Sequence, residues 1–330
     1  MNMNQQGWVA TRDQGPNVGV DVSKQHLDVC LGTEAQRVTN DAAGWNVLTA
    51  KFKSAGIDLV VIEATGGYER GLVCALQEAG ITVARINPRQ SRDFAKSMGV
   101  LAKTDRVDAR VLRDFADVLA RHPDRLKYIT PPMEAHRLEL LSMMNRRRQL
   151  IAMRAAELNR LQQTTDKHIV RSIKRIIKML DKEISSLDSD ADNHLDRHFH
   201  EQRKLLEAVK GVGPVALLTL IAALPELGQL DRRAVTKLVG LAPMSNDSGH
   251  RIGKRSIWGG RGDVRAVLYM ATLSAIRFNN TIHVFHTRLI DAGKPKKVAI
   301  VACMRKLLVI LNAMMRDRVP WNPAAPTNVV

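Results

Sequence analysis

The apolar run Leu59-Val60-Val61-Ile62 constrains the fold of this chain more than any other feature. A continuous run of this kind is typical of a central strand in a parallel sheet, because such a strand is covered on both faces. It ends in Glu63 and a glycine turn that leads into a helical pattern. Strand-like runs at residues 18–22, 29–31 and 83–86, with a helical pattern at residues 41–54, alternate along the same segment. The alternation predicts an α/β domain.

Four carboxylates are candidate metal ligands, two near predicted strand ends and two on one face of a predicted helix. Asp21 and Glu63 come close to the carboxyl ends of two predicted strands, the edge at which α/β sheets bind ligands. Thr104 is a predicted helix N-cap, and Asp105 and Asp108, three residues apart, share one face of that helix. An oxygen cluster of this kind suits Mg²⁺, and a pair of such ions activates a phosphodiester and its attacker. Each acid alone also fits a structural role at a strand end, a turn or a helix N-terminus.

The charge of the chain predicts a polyanionic partner. The net charge is +17 at pH 7, and it divides into +1 for residues 1–142, +8 for residues 143–178, −4 for residues 179–230 and +12 for residues 231–330. A nucleic-acid enzyme can divide its work in this way, with carboxylates holding metal and bases holding phosphate. Solvated basic faces are the alternative.

The sequence predicts a cytoplasmic protein with no membrane partner. The longest uncharged apolar stretch, residues 215–224, is too short to span a bilayer. The polar N-terminal residues lack the apolar core of a secretion signal. Cys30, Cys74 and Cys303 are far apart and form no C-x-x-C motif, which favours a reducing compartment.

The middle of the chain shows a heptad-like pattern. Over residues 141–162, positions at spacings of three and four are apolar except Arg148 and Gln162, which interrupt the pattern. A similar apolar pattern continues over residues 169–187 after a polar break. The pattern predicts a helical hairpin or an arm that pairs with another protomer; an ordinary amphipathic pair is the alternative. The arginine triplet Arg146, Arg147 and Arg148 suits nucleic-acid phosphates or a solvated face.

A histidine group follows the second heptad-like segment. His194 and His198 are four residues apart and His200 is close by, which raises a zinc hypothesis. No H-E-x-x-H motif or cysteine partner supports this hypothesis.

A glycine turn in the C-terminal part predicts a helix-hairpin-helix. Gly211 and Gly213 separate two helical patterns, and such a turn exposes backbone N–H groups that bind phosphate. A tight interhelical turn that needs the same glycines is the alternative.

A serine in a glycine-flanked loop is a candidate nucleophile. Ser248 precedes Gly249, and cations follow that would orient a phosphate and stabilise charge in the transition state. A turn-forming role for Ser248 is the alternative. The basic residues near this loop are Arg251, Lys254, Arg255, Arg261 and Arg265.

The order of these motifs resembles the DEDD transposases of insertion sequences, a family that includes DNA invertases and bridge-RNA-guided serine recombinases. The resemblance extends from about residue 18 to about residue 320. It is carried by residues 19–24, 62–66, 86–88, 103–109, 240–243, 248–249, 265–270 and 305–308.

The resemblance implies a ribonuclease-H-like (RuvC-like) N-terminal domain, similar to Holliday-junction resolvases, a helical coiled-coil arm and a mainly α transposase domain. In this chain these parts are predicted at residues 15–130, 131–192 and 193–330. The implied Mg²⁺ ligands are Asp21, Glu63, Asp105 and Asp108, and Ser248 is the implied nucleophile.

The resemblance also implies a function and its partners. We expect a site-specific DNA recombinase that cuts and rejoins donor and target DNA, guided by a structured bridge RNA and assembled as a dimer or tetramer. The alternatives are a resolvase-like nuclease that uses metal-activated water, an invertase guided by protein–DNA contacts, and a non-enzymatic nucleic-acid-binding scaffold.

Overall fold

The computed structural model of the protein describes residues 15–101, 104–132, 134–244, 253 and 255–321, with the side chains of Asp105 and Arg106 excepted. The chain divides into two compact units, residues 1–133 and residues 134–330.

A mixed five-stranded sheet forms the centre of the N-terminal unit, in the order β3-β2-β1-β4-β5. The strands are β1 (Asn17–Val22), β2 (His26–Leu31), β3 (Glu34–Thr39), β4 (Leu59–Glu63) and β5 (Val83–Ile86). The first three strands form an antiparallel meander, whereas β1, β4 and β5 run parallel to one another. The α/β prediction for this segment is confirmed, and β3 is an addition to it.

Helices cover both faces of this sheet. They are α1 (Ala42–Ser54), α2 (Arg70–Glu78), α3 (Pro88–Ser97) and α4 (Asp105–Ala120). Apolar residues of α1 and α2 pack on one face with Val20 and Ile62, whereas α4 packs on the other face with Val61 and Ala84. The alternation along the strands sends successive side chains to opposite layers.

A glycine sets the close approach of α4 to the sheet. A Cβ atom on Gly19 would lie 2.2 Å from the Arg113 backbone nitrogen and 2.3 Å from the Ala109 carbonyl oxygen. Two residues earlier on β1, Asn17 Nδ2 donates to Asp117 Oδ1 at 2.8 Å. Helix α4 therefore runs antiparallel to β1, and its N-terminus lies toward the carboxyl end of that strand.

The C-terminal unit is mostly helical. Its elements are α5 (Ala135–Gln163), α6 (Lys167–His198), α7 (His200–Glu207), α8 (Pro214–Ala223), α9 (Arg232–Val239), β6 (Pro243–Met244), β7 (Ser256–Ile257), α10 (Gly262–Phe278), α11 (Asn280–Asp291) and α12 (Lys296–Asp317). Helices α5 and α6 pack along each other as an antiparallel hairpin, and residues 208–213 connect α7 to α8. Coiled-coil assembly, a helix-hairpin-helix function and the three-part domain division stay predictions.

Within the described residues, α12 is long and apolar enough by length and composition to cross a membrane. Of its most apolar window, 56% is buried inside the structure, which is typical of a core helix. Asn312, buried in this helix, accepts from the Gly228 N–H and donates to the Leu230 carbonyl, both at 2.8 Å.

Candidate active site

Asp21 and Glu63 lie at the same level of two neighbouring parallel strands. The register pairs Gly19 with Val61 and Val20 with Ile62, so one further residue along each strand brings Asp21 beside Glu63. Gly19 and Val61 both lie against α4. Since alternate residues of a strand share a face, the positions of Asp21 and Glu63 lie on the α4 side of the sheet.

The first turn of α4 reaches the same level. A strand rises about 3.3 Å per residue and a helix 1.5 Å, so two residues of β1 correspond to about four residues of α4. The helix passes Gly19 between Ala109 and Arg113, and the level of Asp21 therefore falls near Asp108. The structure brings the backbone positions of Asp21, Glu63 and this first turn to one edge.

The predicted N-cap of α4 is present. Thr104 Oγ1 accepts from the Val107 N–H at 3.3 Å, and the Asp108 N–H donates to the Thr104 carbonyl at 2.8 Å. Asp105 is the first residue of the helix, its side chain is outside the described part, and Asp108 is half-buried. The metal-ligand roles of the four acids stay predictions.

Glu63 is held by a residue that the sequence pattern does not single out. Its Oε2 accepts a hydrogen bond from the hydroxyl of Ser91, a buried residue in the first turn of α3. The start of α3 is fixed by Asn87, whose side chain accepts from the Arg89 N–H at 2.9 Å and whose N–H donates to Gln90 Oε1 at 3.2 Å. The capping box thereby sets the position of Ser91, and Asn87-Pro88 is its sequence signal.

A second acid, Glu69, shapes the loop that follows Glu63. Glu69 is buried, and its Oε2 accepts from the Gly67 N–H at 2.9 Å and from the Thr65 N–H at 3.2 Å. Its other oxygen lies 3.5 Å from Arg85 Nη1. Gly66 and Gly67 have φ angles of +66° and +107°, a region that favours glycine. Glu69 therefore organises backbone in a loop that a side chain at either glycine would strain.

Asn40 connects the turn after β1 to the loop after β4. Its Nδ2 donates to the Ser23 carbonyl at 2.8 Å and to the Tyr68 carbonyl at 3.1 Å, while its Oδ1 accepts from Trp45 Nε1 at 2.8 Å. One side chain thus joins the two segments that directly follow Asp21 and Glu63.

The candidate nucleophile lies beyond what the structure describes, but its flanks are described. Ser248, Arg251 and Lys254 are outside the described residues. The two short strands on either side pair antiparallel, Pro243 with Ile257 and Met244 with Ser256. This pairing brings the two ends of the Ser248 segment together.

Comparison with known families decides the class of the protein. Residues 18–170 match the model of the IS110-type DEDD transposases, and residues 203–287 match the model of the transposase IS116/IS110/IS902 family. The chain belongs to this transposase family. It is therefore a DNA transposase or recombinase enzyme.

Individual relatives agree with this assignment. The chain is 26% identical to the pilin gene-inverting proteins of Moraxella lacunata and Moraxella bovis over 323 residues, which cover 92% of this chain and 97% of each relative. It is 29% identical over 165 residues to an uncharacterized 42 kDa protein of insertion element IS900 from Mycobacterium paratuberculosis, covering 48% of this chain and 40% of that protein.

Two arginines near the Ser248 segment of the transposase have partners within the protein. Arg261 donates to both carboxylate oxygens of Glu226, at 2.6 and 2.5 Å, and to the Ala223 carbonyl at 2.8 Å. Arg265 Nη1 donates to the Gly259 carbonyl at 2.5 Å and to the Val239 carbonyl at 3.1 Å. Arg261 therefore holds the connection between α8 and α9, and Arg265 joins the end of α9 to the loop after β7, whereas Arg255 is exposed. Phosphate binding by these arginines stays a prediction.

The arginine triplet of the transposase is divided among three environments. Arg147 forms a two-point ion pair with Asp188 of α6, and Arg148 Nη1 lies 2.7 Å from Asp263 Oδ2 of α10. Arg146 is exposed and donates to Gln149 at 3.3 Å. Arg147 and Arg148 therefore form ion pairs with acids of other helices, whereas the described contact of Arg146 is to an uncharged side chain.

The two glycines of the α7–α8 connection differ in their surroundings. A Cβ atom on Gly211, whose φ is +108°, would lie 2.6 Å from the Ala275 Cβ. Gly213 is the N-cap of α8 with a φ of −86°, and a Cβ there would meet no atom within 4 Å. Close packing on α10 explains Gly211, whereas Gly213 leaves the start of α8 open.

Proposed function

We propose that this transposase cuts and rejoins DNA strands with a Mg²⁺ site at the edge formed by β1, β4 and α4, and with Ser248 as nucleophile. The observation that carries the proposal is the common level of Asp21, Glu63 and the first turn of α4. Such an edge in a parallel arrangement of strands is where α/β sheets bind ligands.

The residues at this edge fit a hard divalent cation. Asp21, Glu63, Asp105 and Asp108 offer only carboxylate oxygens, the ligand type that Mg²⁺ prefers. Glu63 has a hydrogen-bond partner in Ser91 that fixes one of its oxygens, as is typical of metal-ligating carboxylates. When bound, the cation would polarise the scissile phosphate and offset its negative charge.

Ser248 supplies the covalent step in this proposal. Its Oγ attacks the scissile phosphorus, an Oγ–P bond forms, and the bond from phosphorus to one deoxyribose oxygen breaks. The seryl proton passes to solvent and the leaving oxygen takes up a proton. A deoxyribose hydroxyl of another strand then attacks the same phosphorus and loses its proton, the Oγ–P bond breaks, and Ser248 Oγ takes up a proton. The DNA is rejoined, so the phosphodiester bond energy is conserved.

The remaining finer proposals follow from the family. The acids and the serine of one site come from different subunits of a dimer or tetramer, which α5 and α6 join as a coiled coil. A structured RNA guides donor and target DNA, and the open start of α8 contacts phosphate. The named activity of the pilin gene-inverting relatives supports recombination at defined sites. The cytoplasm is the proposed location.

The experiment that tests the chemistry is trapping of the covalent intermediate. The full-length protein is incubated with its native flanking DNA and any RNA that purifies with it, in Mg²⁺, and denatured before analysis. We expect a protein–DNA adduct with the natural chain and with Ser245→Ala, a matched serine of the same segment. Ser248→Ala should give none, and Asp108→Asn should abolish both cleavage and adduct.

The outcomes separate the alternatives. Adduct formation by Ser248→Ala would show that another residue is the nucleophile. Cleavage without any adduct would indicate a metal-dependent nuclease that uses water. Sequencing of the bound RNA tests guidance: one species that maps to the flanking DNA supports it, and random cellular RNA contradicts it.

A further inference from the structure

Three histidines meet where the two ends of the α5–α6 hairpin come together. His136 lies in the first turn of α5, and His194 and His198 lie four residues apart near the end of α6. One ring nitrogen from each of the three lies within 4.8 Å of the other two. His136 and His198 stack with ring centroids 3.6 Å apart, and the His194 and His198 centroids are 4.7 Å apart.

The contacts of His194 fix which nitrogen is available. Its ring is buried, and Nε2 lies 2.7 Å from the carbonyl oxygen of His136. A carbonyl oxygen only accepts, so Nε2 carries a proton and donates it. In the neutral ring the lone pair is then on Nδ1, which lies 3.5 Å from Glu139 Oε2. A backbone carbonyl that orients a histidine through its second nitrogen is the usual arrangement behind a metal-ligating imidazole.

We propose that His136, His194 and His198 bind a transition-metal ion of the Zn²⁺ type, with the carboxylate of Glu139 as the fourth ligand. Glu139 lies three residues after His136 on α5, and the two α6 histidines share a face at a spacing of four, so all four side chains come from two facing helix ends. Three imidazole nitrogens and one oxygen form a common zinc ligand set. Binding requires the stacked rings of His136 and His198 to rotate so that both nitrogens face one ion.

This site differs in chemistry from the carboxylate edge of the N-terminal unit, which is the proposed Mg²⁺ site of Asp21, Glu63, Asp105 and Asp108. Imidazole nitrogen selects zinc and related metals, whereas carboxylate oxygen suits Mg²⁺. An ion at the histidine site would fasten the first turn of α5 to the last turns of α6 and so stabilise the base of the hairpin.

The test measures metal binding by the full-length protein after removal of metal with a chelator. Excess Mg²⁺ is present to saturate the carboxylate edge, and Zn²⁺ and Co²⁺ are the probes. We expect one Zn²⁺ per chain and a visible Co²⁺ spectrum of tetrahedral type. The transition temperature of unfolding should rise by roughly 5 °C when Zn²⁺ is well above its Kd.

Variants assign the ligands. His198→Ala should weaken Zn²⁺ binding at least about 100-fold and abolish the tetrahedral Co²⁺ spectrum, since it removes a direct ligand. His200→Ala is the matched control, because His200 is exposed, only two residues away and outside the cluster. His136→Gln provides a second, more conservative variant if His198→Ala does not fold, and it should have the same effect.

The proposal is overturned if the natural protein does not bind Zn²⁺ at micromolar concentration, or if His198→Ala and His136→Gln bind it as tightly as the natural chain. The readouts do not use DNA cleavage, so their failure is distinct from failure of the proposed recombination chemistry.

Discussion

The carboxylate of Glu63 meets the hydroxyl of Ser91, which lies 28 residues further along the chain. Glu69 holds the next loop through two backbone N–H groups, and Asn40 joins that loop to the turn after β1. At the residue scale, the candidate active site is thus organised by neutral and acidic side chains that have no proposed contact with DNA.

The partner of Glu63 leads to the first prediction. Ser91→Ala removes the hydrogen bond that fixes a proposed metal ligand. We expect the Mg²⁺ concentration for half-maximal DNA cleavage to rise about 10-fold, since loss of such an outer partner typically costs 10–100-fold in metal affinity. Cleavage rates measured over a range of Mg²⁺ concentrations test this.

Ser97→Ala on the same helix is the control for Ser91. The Ser97 hydroxyl donates to the Phe94 carbonyl at 2.7 Å, within its own helix. The Mg²⁺ dependence of DNA cleavage by Ser97→Ala should match that of the natural protein. An unchanged Mg²⁺ requirement in Ser91→Ala would show that the hydrogen bond does not support metal binding.

Two helix caps give a prediction for pH. The Gly44 N–H and the Thr39 hydroxyl lower the pKa of Asp41, and the Ala234 and Arg233 N–H groups lower the pKa of Asp231. A carboxyl whose pKa is depressed by folding stabilises the folded state above its unfolded pKa, about 3.9. That stabilisation is lost as the pH falls through the lower, folded pKa.

The Asn variants of these caps lack the titration. Urea unfolding of Asp41→Asn and Asp231→Asn, measured between about pH 3 and pH 6, should show a weaker loss of stability on acidification than the natural protein. Asp41→Asn reports on the N-terminal unit and Asp231→Asn on the C-terminal unit. Parallel pH profiles of variant and natural chain would contradict the assigned pKa directions.

At the scale of elements, the hairpin of α5 and α6 separates neighbouring arginines by function. Successive residues of a helix point about 100° apart, so Arg146, Arg147 and Arg148 cannot share one partner surface. Arg147 pairs with Asp188, and Arg154 pairs with Asp181 seven residues, or about two turns, further along. These ion pairs fix the register of the two helices.

We therefore expect Arg147 to contribute to the stability of the hairpin and Arg146 to contribute to DNA binding. Arg147→Ala should lower the unfolding free energy by about 1 kcal/mol, since the pair is partly exposed. Arg146→Ala should change the unfolding free energy by less than about 0.5 kcal/mol. It should also reduce the slope of log binding constant against log salt concentration by about one, because one counterion fewer is released. Urea unfolding and affinity at several salt concentrations measure both effects.

An exchange variant checks the ion pair. Arg147→Asp with Asp188→Arg should regain part of the stability that either single change loses. No recovery in the double variant would show that the pair does not stabilise the hairpin.

The sequence predicts elements better than it predicts contacts. Local signals such as the Leu59–Ile62 run and the Thr104 cap mark the start or character of elements that are present, because propensity and capping act over a few residues. Every residue of strand β3 is exposed or half-buried. An apolar run is therefore not needed there, and the signal that marks the buried strands does not mark β3. Ser91 and Arg261 depend on partners 28 and 35 residues away, which no local pattern encodes.

At the scale of the whole molecule, the boundary between the nearly neutral and the basic parts of the chain also separates the proposed metal ligands from the proposed nucleophile. The four acids lie in the nearly neutral first part, and Ser248 lies in residues 231–330, which carry +12. If each active site combines acids of one subunit with the serine of another, the two halves of the chemistry are separable by mutation.

Mixing inactive variants tests this. Asp108→Asn and Ser248→Ala should each be inactive, and mixing them should restore about one quarter of the cleavage. Half of the dimers formed at random are mixed, and one of their two sites is intact. Asp21→Asn mixed with Asp108→Asn should stay inactive, because both changes affect the same half-site. Equal activity in the two mixtures, or no activity in either, would contradict a site shared between subunits.

Gly19 has a consequence for how this family tolerates mutation. Any side chain there would displace the backbone of α4, and the first turn of that helix carries Asp105 and Asp108. A survey of all single substitutions would therefore find position 19 as intolerant as the acids themselves, although glycine has no chemistry to offer. In a comparison of functional variants, Gly19 would look like an active-site residue. Its role is only to let α4 pack close to β1, which positions the first turn that carries Asp105 and Asp108.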